Sequence, residues 1–191
     1  MRKEVDVAVR TYVRAVVRDK GGRIIRDTGW RRTNTLTKNF YAILATQMEQ
    51  VDGKYDVVRL DGTVVKSGHD SQNFAADAPE GDGTYGIQVG TGTTEPTRDD
   101  YKLESKITHG TGSGQLYYYA CTFVQGSDYV EVRRTFANQS GADITINEVG
   151  LAVVFYSQTD SATKKALIAR SLFTITVPDE GSVTLYYRIS G

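Results

Sequence analysis

The sequence predicts an all-β protein: an antiparallel β-sandwich, with jelly-roll-like connections as one way to link it. One short helix near residues 34–50 and a long N-terminal hairpin complete the expectation. Three observations lead there. Runs of alternating polarity recur along the chain, turn-forming residues separate them, and helical periodicity occurs once. The 191 residues fit one domain over 1–191, because domains commonly run to about 100–200 residues. A chain of this length buries roughly 70% of its unfolded surface, enough for a core without staples.

Val5 to Val17 is the longest alternation. Val5, Val7, Val9, Thr11, Val13, Ala15 and Val17 share one parity. Asp6, Ala8, Arg10, Tyr12, Arg14 and Arg18 share the other, with Val16 as the exception. Period two with a charged second face marks a half-buried strand. Asp19-Lys20-Gly21-Gly22 supplies a hairpin turn, and Arg23 to Thr28 returns antiparallel. Residues 1–33 thus read as a basic hairpin or arm.

Asn34 to Gln50 carries the helical pattern. Asn34 or Thr35 is placed to cap it, and Leu36, Phe40, Ile43, Leu44 and Met48 form its apolar stripe. Tyr55 to Lys66 reads as a hairpin around Leu60-Asp61-Gly62-Thr63. Ser67 to Thr84 is polar, with Pro79 and three glycines, and reads as a long surface loop.

Strands dominate from Tyr85 on: Tyr85–Val89, Gln115–Val124, Tyr129–Ala137, Leu167–Val177 and Val183–Ile189. In the third, Val130, Val132, Arg134 and Phe136 share a face. Beyond the turn at Asn138–Gly141, Ile144 and Ile146 have one parity, and Val149, Leu151, Val153 and Phe155 the other. A strand cannot change faces without a slip, so a β-bulge or short break is expected at Asn147-Glu148. Pro178-Asp179-Glu180-Gly181 is turn chemistry between the last two strands.

Charged residues make up 24% and hydrophobic residues 39% of the chain, a globular composition. Cys121 is the sole cysteine, so no intramolecular disulfide forms. The N-terminus has no apolar signal-peptide core. No apolar run approaches the roughly 20 residues of a transmembrane helix, so a membrane partner is not expected. Net charge is zero, but Met1–Lys38 holds eleven basic against four acidic residues. That +7 end attracts either nucleic acid or the acidic body of another copy. The second is favoured, because these residues lie on strands rather than in a solvated tail.

Chemistry-bearing motifs are scarce. Gly90-Thr91-Gly92 lacks the third glycine and following helix of a dinucleotide fingerprint, and no P-loop lysine follows. The stretch reads as a strand-to-loop connection. Gly110, Gly112 and Gly114 lead into a strand, not a helix. His69 and His109 stand apart, and the loop aspartates Asp52, Asp56, Asp61, Asp99 and Asp100 have no EF-hand spacing. Neither metal nor cofactor is expected. Cys121 reads as a small core residue. Glu131, Glu148 and Glu104 are nominal candidates for a glycosidase carboxylate pair, each better read as a surface or network residue. An enzyme is not expected. Tyr117-Tyr118-Tyr119 must place rings on both strand faces, and Tyr186-Tyr187 repeats the arrangement. Their outward rings suit a subunit contact first and a carbohydrate platform second.

Three blocks then stand in order. The first is Gly86–Thr97 with Asp100–Glu104. The second is Arg134–Gly141 with Ile144–Leu151. The third is Leu167–Arg170 with Val177–Leu185. In this order they are similar to a loosely defined group of virion structural proteins of tailed viruses of bacteria and archaea. The resemblance covers about Gly86 to Gly191 and leaves out the basic hairpin. It implies a capsid- or tail-attached component of the virion, with other virion proteins as partners. The resulting expectation is a non-enzymatic, homo-oligomeric structural subunit. Arg10, Arg14 and Arg18 are its interface cations, facing Asp99, Asp100 or Glu104 of an adjacent copy, and Tyr117 and Tyr119 are further contacts. The alternative is a carbohydrate-binding receptor module of a tail fibre, built on Tyr117–Tyr119 and the 67–84 loop.

Overall fold

A computed structural model of the chain describes residues 9–33 and 35–190. The part of the first alternation before Val9, and Asn34 as a helix cap, lie outside the described residues. Among the described residues, thirteen strands and one helix follow in order. β1 (Arg10–Arg18), β2 (Ile24–Asp27), β3 (Arg31–Arg32) and β4 (Thr35–Leu36) lead to α1 (Lys38–Glu49). β5 (Asp56–Val58), β6 (Val64–Gly68), β7 (Gly86–Gly90), β8 (Tyr117–Tyr118) and β9 (Thr122–Gln125) come next. β10 (Tyr129–Ala137), β11 (Ile144–Ser157), β12 (Ala162–Val177) and β13 (Ser182–Ser190) close the chain.

The strands form two antiparallel sheets, as the alternation requires. One runs β2-β1-β13-β10-β8, with β3 added to β1 and β9 to β10. The other runs β4-β12-β11-β6-β5, with β7 added to β11. Their backbone is one long ribbon folded over itself. β10 pairs with β13 from Tyr129↔Ser190 to Ala137↔Ser182. Beyond a corner, β11 continues the ladder against β12 from Ile144↔Val177 to Ser157↔Ala162. The ribbon thereby crosses from the first sheet to the second. Asn138 locks the corner: its buried amide donates to the Ala142 and Val177 carbonyls at 2.8 and 3.0 Å.

The core lies between the sheets. Val13, Ala15 and Val17 of β1, Val132 and Phe136 of β10, and Val183, Leu185 and Tyr187 of β13 face Ile146, Leu151, Val153 and Phe155 of β11 and Ile168 and Ile175 of β12. Thr11 is buried on the same parity. The parity change in β11 is a bulge without a break: register shifts between Ile146 and Glu148. Val149 thereby turns inward, and Glu148 turns to the outer face.

Several sequence expectations need correction. The helix starts at Lys38, not Asn34, because Thr35 and Leu36 pair with Arg170 and Ala169 of β12. Its N-cap is Thr37, whose hydroxyl donates to the Leu167 carbonyl at 2.7 Å and makes no cap bond. Phe40 and Ile43 are buried as expected, but Met48 is 76% exposed. Buried Asn39 and Thr46 take part of the inner face. Residues 67–84 are not surface loop throughout. Ser67 and Gly68 belong to β6, and Ala76 and Ala78 are buried, tied by Val154 N–H to the Ala75 carbonyl and Cys121 N–H to the Ala78 carbonyl, both 2.8 Å. Gln115–Val124 is two short strands rather than one, because Cys121 turns to this strap between them.

Candidate functional site

The bulge at Asn147 aims Glu148 at the outer face of the second sheet, where the 91–105 loop covers it. Glu148 Oε1 accepts the N–H groups of Gly92 and Ser105 at 3.1 and 2.8 Å. Its Oε2 accepts the Glu104 N–H at 3.1 Å and Arg170 Nε at 2.8 Å. Glu104 Oε2 in turn accepts the N–H groups of Thr93 and Thr94 at 2.7 and 2.9 Å. Arg170 also donates to Asp100 at 2.8 Å. The glycine-rich turn therefore does hold an anion, and that anion is supplied by the chain itself. Glycine is required here, since a Cβ on Gly92 would lie 2.6 Å from oxygens of both glutamates.

Electrostatics follow from these contacts. Hydrogen bonds from Thr94 hold the Glu104 carboxyl below the ordinary range. For Asp100, burial pushes upward, but the Arg170 and Thr97 hydrogen bonds outweigh it and the net shift is downward. Glu104 and Glu148 do meet, as a glycosidase pair would have to. Both accept backbone donors and both lie against Arg170, so the arrangement pins the 91–105 loop to the sheet.

A second buried cation works without a carboxylate. Arg134 shares the inward parity of Val132 and Phe136, and its guanidinium lies 4.7 Å from the Tyr118 ring centroid. Its five hydrogen bonds end on the backbone carbonyls of Tyr119, Tyr85, Ile87, Pro79 and Asp82, at 2.5–3.3 Å. Burial lowers its pKa. The sequence signal was a charged residue at an apolar parity.

The outer face of the first sheet carries an arginine–aromatic array. Arg188 lies between the rings of Trp30 and Tyr129, at 4.0 and 3.7 Å from their centroids. Glu131, buried beneath, accepts from Arg188 at 2.8 Å and Arg133 at 2.6 Å. Arg14 pairs with Asp27 through Nε at 2.9 Å and Nη2 at 2.5 Å, over the ring of Tyr186. The Arg14 hydrogen bonds, with one from Gly29 N–H, hold the Asp27 carboxyl down at about 2.

Within one chain the expected interface residues have the following partners. Arg14 is engaged by Asp27, Asp100 by Arg170, and Asp99 by Lys38, all within one chain. Arg18 donates to Thr184 Oγ1 at 3.5 Å. Arg10 is exposed and forms no ion pair among the described residues. It lines a groove of about 480 Å³ with Arg32, Leu36 and Tyr41. Arg14, Asp99, Asp100 and Glu104 thus have charged partners within the chain, whereas Arg10 and Arg18 form no ion pair among the described residues.

Tyr118 is buried, and Tyr117 and Tyr119 turn outward with rings 5.3 Å apart. Tyr117 donates to Glu80, and the His109 ring lies 4.8 Å from it. Tyr119, Glu80, Arg133 and Tyr186 line a groove of about 580 Å³. Cys121 is half-buried, and burial raises its thiol pKa.

Among the described residues no group of three or more His, Cys, Asp or Glu side chains gathers to hold a metal ion. No helix among them is long and apolar enough to cross a membrane. Comparison with protein-family models, curated proteins and solved structures finds no match.

Proposed function

We propose that this chain is a non-enzymatic structural subunit of a virus particle of the tailed bacterial or archaeal type. It self-associates and attaches to the capsid or the tail machinery. One observation carries the reading. The buried ionisable groups Glu148, Arg170, Arg134 and Glu131 all hold loops and strands in place. Large apolar side chains such as Phe123 and Val130 meanwhile stay exposed, as a surface meant for a neighbour would have them.

The sequence resemblance falls on the same scaffold. Its blocks contain Gly92, Glu104, Arg134, Asn138, Glu148 and Arg170, the residues that lock the ribbon and its covering loop. Such a rigid tile suits repeated assembly. The test is a purified particle preparation from the virus encoding the chain, probed with antibody to the recombinant protein. Gold labelling at regular positions on the particle is expected, and absence of the chain from washed particles overturns the proposal.

A second reading is a carbohydrate-binding module of a tail fibre. The observation favouring it is the outward-facing pair of half-buried Tyr117 and exposed Tyr119, joined through Glu80 to the 67–84 segment as a sugar platform would need. Binding on a glycan array, lost in Tyr119→Ala, supports this reading. No signal on a broad array removes it.

A further inference from the structure

The edge at β9 is an unfinished part of the sandwich. Phe123 lies opposite Val132 in the ladder, and so shares its inward parity. Phe123 and Val130 nonetheless remain 46% and 49% exposed. Beside them an apolar cleft of about 320 Å³ opens between the sheets, walled by Leu151, Ile168 and Ile189 and closed behind by Phe40. Among the described strands β9 pairs with β10 alone, so its other edge has no strand partner. An open edge beside exposed apolar side chains invites another strand.

A sequence of matching character precedes the described residues at the same end of the molecule. Val9, 52% exposed, lines a shallow groove with Gln125, Val130 and Ile189. The β1–β13 ladder runs from Arg18↔Ser182 to Arg10↔Ser190, which brings Val9 to the Ser190 end of the sheet. That preceding sequence, MRKEVDVA, keeps Val5 and Val7 on the apolar parity of Val13, Ala15 and Val17. Its one turn-forming residue, Asp6, stands inside the Val5–Val7 alternation, and Val7, Ala8 and Val9 ahead of β1 offer none to reverse the chain over its own cleft. Extended, eight residues reach about 26 Å.

We propose that residues 2–8 of a second copy add to the open edge of β9 and seat Val5 and Val7 over Phe123 and the apolar cleft. Main-chain hydrogen bonds supply the affinity, and the two valines fix the register. This rests on the reading of the chain as a self-associating subunit and names the contact that joins the copies.

Sedimentation of the full chain is compared with that of a Val5→Asp/Val7→Asp variant and a variant lacking residues 2–8, with circular dichroism confirming the fold. Both variants are expected to associate at least tenfold more weakly. In a Cys121→Ser background, separate batches of Val7→Cys and Phe123→Cys chains are mixed and mildly oxidised. A disulfide between positions 7 and 123 of different chains is expected. If the full chain self-associates but the variants do so equally well and no such disulfide forms, this docking is overturned while the subunit reading stands. If the full chain is monomeric at every concentration, both fall. If one chain carrying both substitutions closes the bond within itself, the segment covers its own cleft and the second-copy assignment is overturned.

Discussion

Arg170 Nε donates to Glu148 Oε2 at 2.8 Å, with side chains 3% and 0% exposed. The pair joins β12 to β11 and pins the 91–105 loop onto the outer face of the second sheet. Removing one partner of a buried ion pair strands the other charge. Glu148→Gln is therefore expected to cost about 3 kcal/mol in urea unfolding. The loss should fall short of a full stranding penalty, because Asp100 stays on Arg170. In a double-mutant cycle, Glu148→Gln with Arg170→Met should cost less than the two single losses added together.

Acid should weaken the fold over a definite range. The folded-state pKa of Asp27 is lowered to about 2, and those of Asp100 and Glu104 are also lowered. A depressed carboxyl contributes stability that is complete above its unfolded pKa, about 4, and is lost as pH falls through the folded value. The urea midpoint should thus hold steady above about pH 5 and fall between about pH 4 and pH 2. Asp27→Asn should lower the midpoint at neutral pH and flatten part of that fall. An unchanged profile in this variant would show that the Arg14–Asp27 pair contributes nothing.

Arg134 is a clamp on the 79–87 segment, and its test is a conservative substitution. Lysine has three donors in place of five and no planar fork. Arg134→Lys strands at least two carbonyls and should cost about 3 kcal/mol, at roughly 1–3 kcal/mol per unsatisfied buried group. Hydrogen exchange should speed up first at Gly86–Gly90 and around Cys121. Protection unchanged there would mean the carbonyls find other donors.

How much of this was legible follows from the range of each signal. The inward faces of β1 and β10 and the bulge at Asn147 come from parity, which is local, and the structure keeps all three. The helix starts later than its local pattern implies because Thr35 and Leu36 are claimed by β12, more than 130 residues away. Glu104 and Glu148 could be named but not joined, since 44 residues separate them and only the folded sheet brings the loop across. Arg134 stood on the right face in the sequence. Four of its five carbonyl partners come from the 79–87 segment and the fifth from Tyr119, and no spacing rule announces them.

The helix offers a direct check on burial against pattern. Ile43 is fully buried and Met48 is 76% exposed, although both fit the apolar stripe. Ile43→Ala is expected to cost about 3 kcal/mol through the cavity left behind. Met48→Lys should stay within about 0.5 kcal/mol. Thermal melts of the two variants measure this, and a large loss at Met48 would mean that its exposed side chain has a partner in solution.

Arg10 and Arg14 separate assembly from folding. Both share the outward parity of β1, but Arg14 is held by Asp27 over Tyr186, and Arg10 stands exposed at the strand's first position. Reversing Arg14 should therefore damage the fold as well as any contact, because Asp27 would face a like charge. Arg10→Glu removes no ion pair among the described residues, and its melting temperature should stay close to that of the parent protein. If the basic end meets an acidic surface of a neighbouring copy, that same substitution should weaken self-association about tenfold at low salt, and less at high salt where the attraction is screened. Sedimentation at two ionic strengths decides the matter. Equal association at both, with and without the reversal, would leave the basic end no electrostatic part in assembly.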